Sequence, residues 1–316
     1  MAKQQSTKHS RVGKVARAFH RRMFSLGKSR NMHPNAIDNK TTPKAVASTS
    51  TPPSPSTIDY EKLNKRDTRL LSIDRLMDGK KVSDKDRTWF AKINMAVREL
   101  MNSPVYDASH DYEHIQRVVM IAHRLWMAEK HRDEFSNVDP FVIFVAAMVH
   151  DVGDEKYLSA NVEAAGTDEE KRDRQRDNIA VFIKKCAPEC PPLIWGPAAH
   201  IASLISFSRE IQNPSLIAEQ CAAYPALQIV QDADRLDSMG ALGLARCSVY
   251  SGANVARGTG TVRRVIEIAE ARFSPLPGLM KTHTGRREAA KRWEEMKEIL
   301  SQMAAQADCE DVLEDF

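Results

Sequence analysis

Pro140 to Tyr157, PFVIFVAAMVHDVGDEKY, is the stretch on which the fold turns. An uninterrupted apolar run, Phe141 to Val149, leads directly into His150 and Asp151, and the acids Asp154 and Glu155 follow three and four positions after Asp151. A run this apolar belongs in a protein interior, and it carries the His-Asp pair inward with it. An imidazole and a carboxylate so placed cost several kcal/mol of desolvation unless they pair with each other, with a hydrogen-bond network or with a cation. In isolation the dipeptide reads more simply as a satisfied core histidine beside a helix-terminal carboxylate. The rest of the chain has to decide between the two.

Outward from this stretch, Asp139-Pro140 supplies the cap and first-turn proline of a helix that ends near Asp151 and Gly153. Upstream, Ser83 followed by Asp86 resembles a capping box. Trp89, Phe90, Ile93, Val97 and Leu100 then trace one apolar helical face, closed by Pro104. A second helix runs from about Asp111, with Ile115, Val118, Val119, Ala122 and Leu125 as its buried stripe. Downstream, Thr167 with Glu170 opens a charged helix whose apolar side is Ile179, Phe182, Ile183 and Cys186. Pro191 and Pro192 restart the chain into Ile194 to Phe207, and Pro225 starts the helix through Ile229, Val230 and Leu236. Val262 to Arg272 and Arg286 to Ala305 complete the set. Alternating apolar and polar runs of strand length are missing, so the body is expected to be nearly all α.

Charge separates the regions more sharply than length does. Residues 1–57 hold eleven Lys and Arg against the single acid Asp38, an excess of ten positive charges, whereas the whole chain is +4; residues 58–316 are therefore net −6. The body has no basic excess with which to neutralise phosphates, which argues against a nucleic-acid binder. Within the tail, residues 1–40 are basic and amphipathic, which fits a mitochondrial targeting segment, a disordered basic arm, or a patch that touches anionic lipid or RNA. Residues 41–57, rich in Pro, Ser and Thr, read as a disordered linker, leaving 58–316 as the helical domain. The five cysteines form no C-x-x-C pair and point to a reducing compartment. The longest apolar run, about ten residues, falls well short of the roughly twenty that a membrane span needs. A soluble intracellular protein is expected, cytoplasmic unless the N-terminus acts as an address.

Three polar insertions interrupt otherwise apolar helical stripes: His114 beside Ile115 and Val118, the pair His150 and Asp151, and Asp234 within IVQDADRLDSMG. Two nitrogens and two oxygens drawn from separate helices make a donor set suited to a divalent cation of the Mn, Fe, Zn or Mg type. Asp232 competes with Asp234 for the last place. Two residues apart is about 200° around a helix, so the two carboxylates cannot both reach one ion.

DYEHIQRV (111–118), VHDVGDEK (149–156) and QDADRLDSMGALGLAR (231–246), in that order and spacing, resemble the HD-domain superfamily of metal-dependent phosphohydrolases. The closest branch is similar to the small bacterial HD hydrolases that share the DADRLD string, and GLMKTHTGRREAAKRWEEM (278–296) resembles that branch's C-terminal helix. The match spans roughly residues 85–305. The resemblance implies a compact multi-helix HD-domain fold behind the basic arm, one divalent metal ion, and His114, His150, Asp151 and Asp234 as its ligands. Asp154 and Glu155 line up with acids of a related branch and are expected to assist proton transfer; His110, four residues before His114, is a candidate substrate contact or else a cap residue, and Lys156 and Arg235 are candidates for phosphate contact or else surface ion pairs. Dinuclear members of the superfamily add histidines between the HD pair and the last Asp. Here only His200 lies in that interval, on the stripe of Ile194, Ile201 and Ile205, and it reads as a packed histidine. The expected substrates are phosphoesters or phosphoanhydrides, nucleotides first among them. A catalytically silent nucleotide- or protein-binding module on the same fold is the alternative, and neither substrate identity nor oligomeric state follows from the residues.

Overall fold

In this computed structural model, residues 69–107, 109–153, 166–253 and 261–314 are described, and every regular element among them is helical. In chain order the α-helices are α1 (Ile73–Leu76), α2 (Asp84–Met101), α3 (Tyr112–Glu129), α4 (Pro140–Val149), α5 (Asp168–Cys186), α6 (Pro192–Ala202) and α7 (Phe207–Gln212). There follow α8 (Pro214–Ala223), α9 (Ala226–Asp237), α10 (Gly240–Ala253), α11 (Val262–Phe273), α12 (Leu276–Leu279) and α13 (His283–Gln306). The fold is all-α. None of these helices is long and apolar enough to cross a membrane. The basic segment, the linker, and the acids and lysine at 154–156 lie outside the described residues.

Helix starts follow the local chemistry that the sequence displays. Asp139 caps α4 by accepting from the Phe141 amide at 2.9 Å, with Pro140 in the first turn. Thr167 and Glu170 form a reciprocal capping box on α5, the Thr167 hydroxyl taking the Glu170 amide and the Glu170 carboxylate taking the Thr167 amide. On α2 only half of the expected box forms. Ser83 accepts from the Asp86 amide, but the Asp86 carboxylate takes the Ser83 hydroxyl and the Trp89 indole N–H instead of returning to the cap backbone.

Several elements differ from the sequence reading, helices α1, α8 and α12 being unread among them. The stretch from Ile194 to Phe207 is divided, α6 ending at Ala202 and Phe207 opening α7. Helix α10, absent from the reading, begins at Gly240 with a backbone φ of 74°, so the residue that usually signals a stop here bends the chain directly from α9 into a new helix.

Helix α4 is the hub. All eight residues from Val142 to Val149 are buried, and α4 packs against α2, α3, α6 and α9. Each large side chain among them contributes about 1.5–3 kcal/mol by leaving water. Helix α3 in turn packs along α9. The carboxyl end of α4 therefore ends up between the two helices that carry His114 and Asp234.

Candidate metal centre

His150 is the C-terminal cap of α4, and its ring is held by its own helix: Nδ1 donates to the Ala147 carbonyl at 3.0 Å. His150 and Asp151 are each only 5% exposed, so the burial expected of the pair is what the packing of α4 produces. The chain then turns at Gly153 with φ 67°, where an added Cβ would come within 3.1 Å of Asn178 and would be strained in any case. The Asp151 carbonyl accepts from the Tyr106 hydroxyl and the His150 carbonyl from the Gln175 amide, which fixes this end of the helix from two other segments.

His114 sits in the first turn of α3, where its amide donates to the capping Asp111 carboxylate at 2.9 Å. Its ring is 1% exposed, and Nε2 lies 3.2 Å from His150 Nε2. Asp151 Oδ2 is 3.3 Å from both of these nitrogens. Asp234 Oδ1, on α9, is 3.6 Å from His114 Nε2 and 3.5 Å from His150 Nε2. Four side chains from three helices thus converge. The His114 to Asp234 distance is well inside the roughly 5 Å limit beyond which one ion could not be shared.

These separations can be tested against a cation. Ligand bonds of about 2.0–2.2 Å at tetrahedral or octahedral angles place neighbouring donor atoms about 2.8–3.6 Å apart. The five separations of 3.2–3.6 Å fall in that range. Both Nδ1 atoms donate outward, so in the neutral rings both Nε2 lone pairs face the centre. His114, His150 and Asp234 offer ligand atoms within 4.8 Å of one another, and Asp151 Oδ2 approaches the two histidine nitrogens of that group. Burial pulls the His150 imidazole down, but the Asp151 carboxylate, followed by Asp234, outweighs it and pushes it up to about 9. Burial raises the Asp234 carboxyl, and the hydrogen bond and charge of His150, with His114 behind it, hold it well below the ordinary carboxylate range. Positive charge is what this cluster lacks, and a proton on His150 or a divalent ion would supply it.

The two rivals on α9 face opposite ways, as the helical geometry requires. Asp232 is fully buried and accepts from the Lys281 and Thr282 amides and the Thr282 hydroxyl, tying α9 to the start of α13. Asp234 is 30% exposed toward a cavity of about 260 Å³ that His110, His150 and Asp151 also line. His110 also lines this cavity, with Nδ1 2.7 Å from the Ser109 hydroxyl and its ring edge-on to His114 at 5.7 Å. Arg235 also borders the cavity, but the structure corrects the role expected of it. Its guanidinium is buried, ion-paired with Glu210 and bonded to the Leu279 carbonyl, so it is not presented to a phosphate. His200 stands apart from the centre, bonded to Gln220 at 2.8 Å and packed on Tyr224.

Sequence reasoning missed three residues here. Asp237 accepts from His114 Nδ1 at 2.8 Å and is itself gripped by Arg117 at 2.8 Å and Arg246 at 2.9 Å. The available signal was spacing: Asp237 lies three residues after Asp234, and Arg117 three after His114, each on the same helix face as its partner.

A family model described as HD domain matches residues 111–239. The uncharacterized protein YpgQ of Bacillus subtilis strain 168 is 27% identical over 209 residues, which cover 66% of this chain and 90% of that protein. Among solved structures, B. subtilis YpgQ in complex with ADP is 26% identical, covering 67% of this chain and 96% of that one with a TM-score of 0.44. An HD-superfamily hydrolase from Bacillus thuringiensis is 23% identical, covering 70% and 97% with a TM-score of 0.44. The residues matched by the HD-domain model, 111–239, carry the first helix of the centre, the His-Asp pair and Asp234.

Proposed function

We propose that this protein is a metal-dependent phosphohydrolase that cleaves phosphoester or phosphoanhydride bonds, of nucleotides first among substrates, in the cavity beside His150, Asp151 and Asp234. The observation that carries the reading is the convergence of His114, His150, Asp151 and Asp234 with donor atoms 3.2–3.6 Å apart at the wall of a cavity. His114, His150, Asp151 and Asp234 would hold a divalent ion, Mn, Mg, Fe or Zn, which when bound would supply Lewis-acid polarisation of a phosphoryl oxygen and a more acidic water.

The chain's own groups do the rest. The two histidines, fixed at Nδ1, keep Nε2 directed at the centre, and the two carboxylates balance positive charge there. His110, backed by Ser109 and Asp107, is placed to hydrogen-bond a phosphate oxygen from the cavity wall. With Arg235 committed to Glu210, we assign the charge-offsetting role to Arg272, which lines the cavity and stands over the Phe207 ring at 5.7 Å. Phe207, Tyr250 and Phe273 add aromatic surface to the same cavity, suited to the flat base of a nucleotide. Asp154 and Glu155 in proton transfer, and Lys156 at the phosphate, stay part of the proposal on the strength of the motif.

The test is phosphate or pyrophosphate release from a panel of nucleotides with Mn²⁺ or Mg²⁺, comparing the native chain with Asp151→Ala. The native chain is expected to turn over at least one substrate, and the variant to lose at least about a hundredfold. Equal turnover by the two proteins contradicts the proposal. Silence of both on every substrate favours a non-catalytic binding module of the same fold.

A further inference from the structure

We infer that Asp237 is a positioning residue: held between Arg117 and Arg246, it fixes the proton of His114 on Nδ1 and so turns the Nε2 lone pair toward Asp151 and Asp234. The inference deepens the metal reading above, on which its affinity arm rests, while its spectroscopic arm stands without it.

The two histidines of the centre are oriented by different means. His150 uses the Ala147 carbonyl of its own helix, a partner that any residue at 147 would supply. His114 has no such local acceptor on Nδ1, and the oxygen that meets it comes from Asp237 on α9, at 2.8 Å. Asp237 Oδ2 takes the imidazole and Arg246, and Oδ1 takes Arg117 Nε. The carboxylate is 1% exposed, so its charge is offset by these two arginines and not by water. It can only accept, which forces the donor to be His114. One face of α9 therefore provides both an oxygen for the centre, from Asp234, and the orienting oxygen behind His114, from Asp237 three residues later. Arg246 extends the arrangement, because it also donates twice to the Ser109 carbonyl, at 3.0 and 2.7 Å, and so joins the back of His114 to the turn that carries His110.

An asparagine at 237 cannot reproduce this. With its oxygen toward Arg117, its amide N–H₂ faces His114 and selects the ring with the proton on Nε2, the nitrogen that should ligate. With its oxygen toward His114 and Arg246, the amide meets the Arg117 donor. The experiment is ¹⁵N NMR of histidine-labelled full-length protein without metal, recorded over a pH series up to the range where the ring signals stop changing, with the His114 signals assigned by their loss in His114→Gln. It is paired with Mn²⁺ titration of the native chain and Asp237→Asn.

Native His114 is expected to carry its proton on Nδ1; Asp237→Asn is expected to shift it to Nε2 and to weaken Mn²⁺ binding about 10–100-fold. A native His114 protonated on Nε2 overturns the inference, and so does a folded Asp237→Asn with unchanged tautomer and affinity. If Asp237→Asn fails to fold, the native spectrum alone decides. A native chain that binds no Mn²⁺ refutes the metal reading, while the native tautomer still upholds or overturns the orienting role of Asp237.

Discussion

Asp232 and Asp234 stand two positions apart on α9, and everything that distinguishes them follows from about 200° of rotation. One holds the start of α13 through two amides and a hydroxyl; the other faces two histidine nitrogens and a cavity. That division was legible in the sequence, because helical rotation forbids both from reaching one point. Which of the two faced the centre was decided by motif resemblance. The fate of Arg235 was not legible. A basic residue beside two acids gives no hint of Glu210, twenty-five positions upstream, and the buried pair exists only once α7 is placed against α9. Asp237 escaped for the same reason, its histidine partner lying 123 positions away. His150 yields a prediction at this scale. Its imidazole is pushed up to about 9 by Asp151 and Asp234, and the protonated ring is not a ligand. As pH falls below that value the unprotonated fraction drops, so apparent Mn²⁺ affinity is expected to rise about tenfold per pH unit between pH about 7 and about 8. Titration calorimetry at several pH values checks this; a pH-independent affinity contradicts it.

Among elements, α4 was the most legible because its signal is redundant: a cap, a first-turn proline and a run too apolar for any surface. Helices α7, α8 and α10 were harder to read. Helix α7 is six residues long, too short for periodicity to show, and α10 begins at a glycine. Helix α8 opens with Asn213 accepting from the Leu216 amide ahead of Pro214, a signal at the level of single residues within an otherwise mixed stretch that the sequence reading passed over. The centrality of α4 makes its core the element most sensitive to a cavity. Phe144 is fully buried, and Phe144→Ala is expected to cost about 3–5 kcal/mol, read as a lower urea midpoint with an unchanged slope. A loss below about 1 kcal/mol would show that α4 is not the hub described here. Because His150 is the cap of this helix, metal affinity should fall in the same variant even where it stays folded.

For the molecule as a whole, the all-α class was legible in patterns within single helices, and a recognisable ordered motif pointed to the four side chains proposed for the centre. The sequence did not show the cavity. The walls come from segments as distant as Ser109 and Leu276, and Phe207, Tyr250 and Phe273 each look like ordinary core residues on their own helices. What the fold adds is their shared position beside a charged centre, and that position links the architecture to chemistry. Four side chains on three helices acting as one divalent metal site is the claim on which the rest stands. It is tested most directly by Mn²⁺ titration of the metal-free native chain beside Asp234→Ala and Asp232→Ala. The account predicts one ion per native chain, no measurable binding by Asp234→Ala, and retained binding by folded Asp232→Ala. A native chain that takes up no ion, or an Asp234→Ala variant that binds as the native chain does, contradicts it.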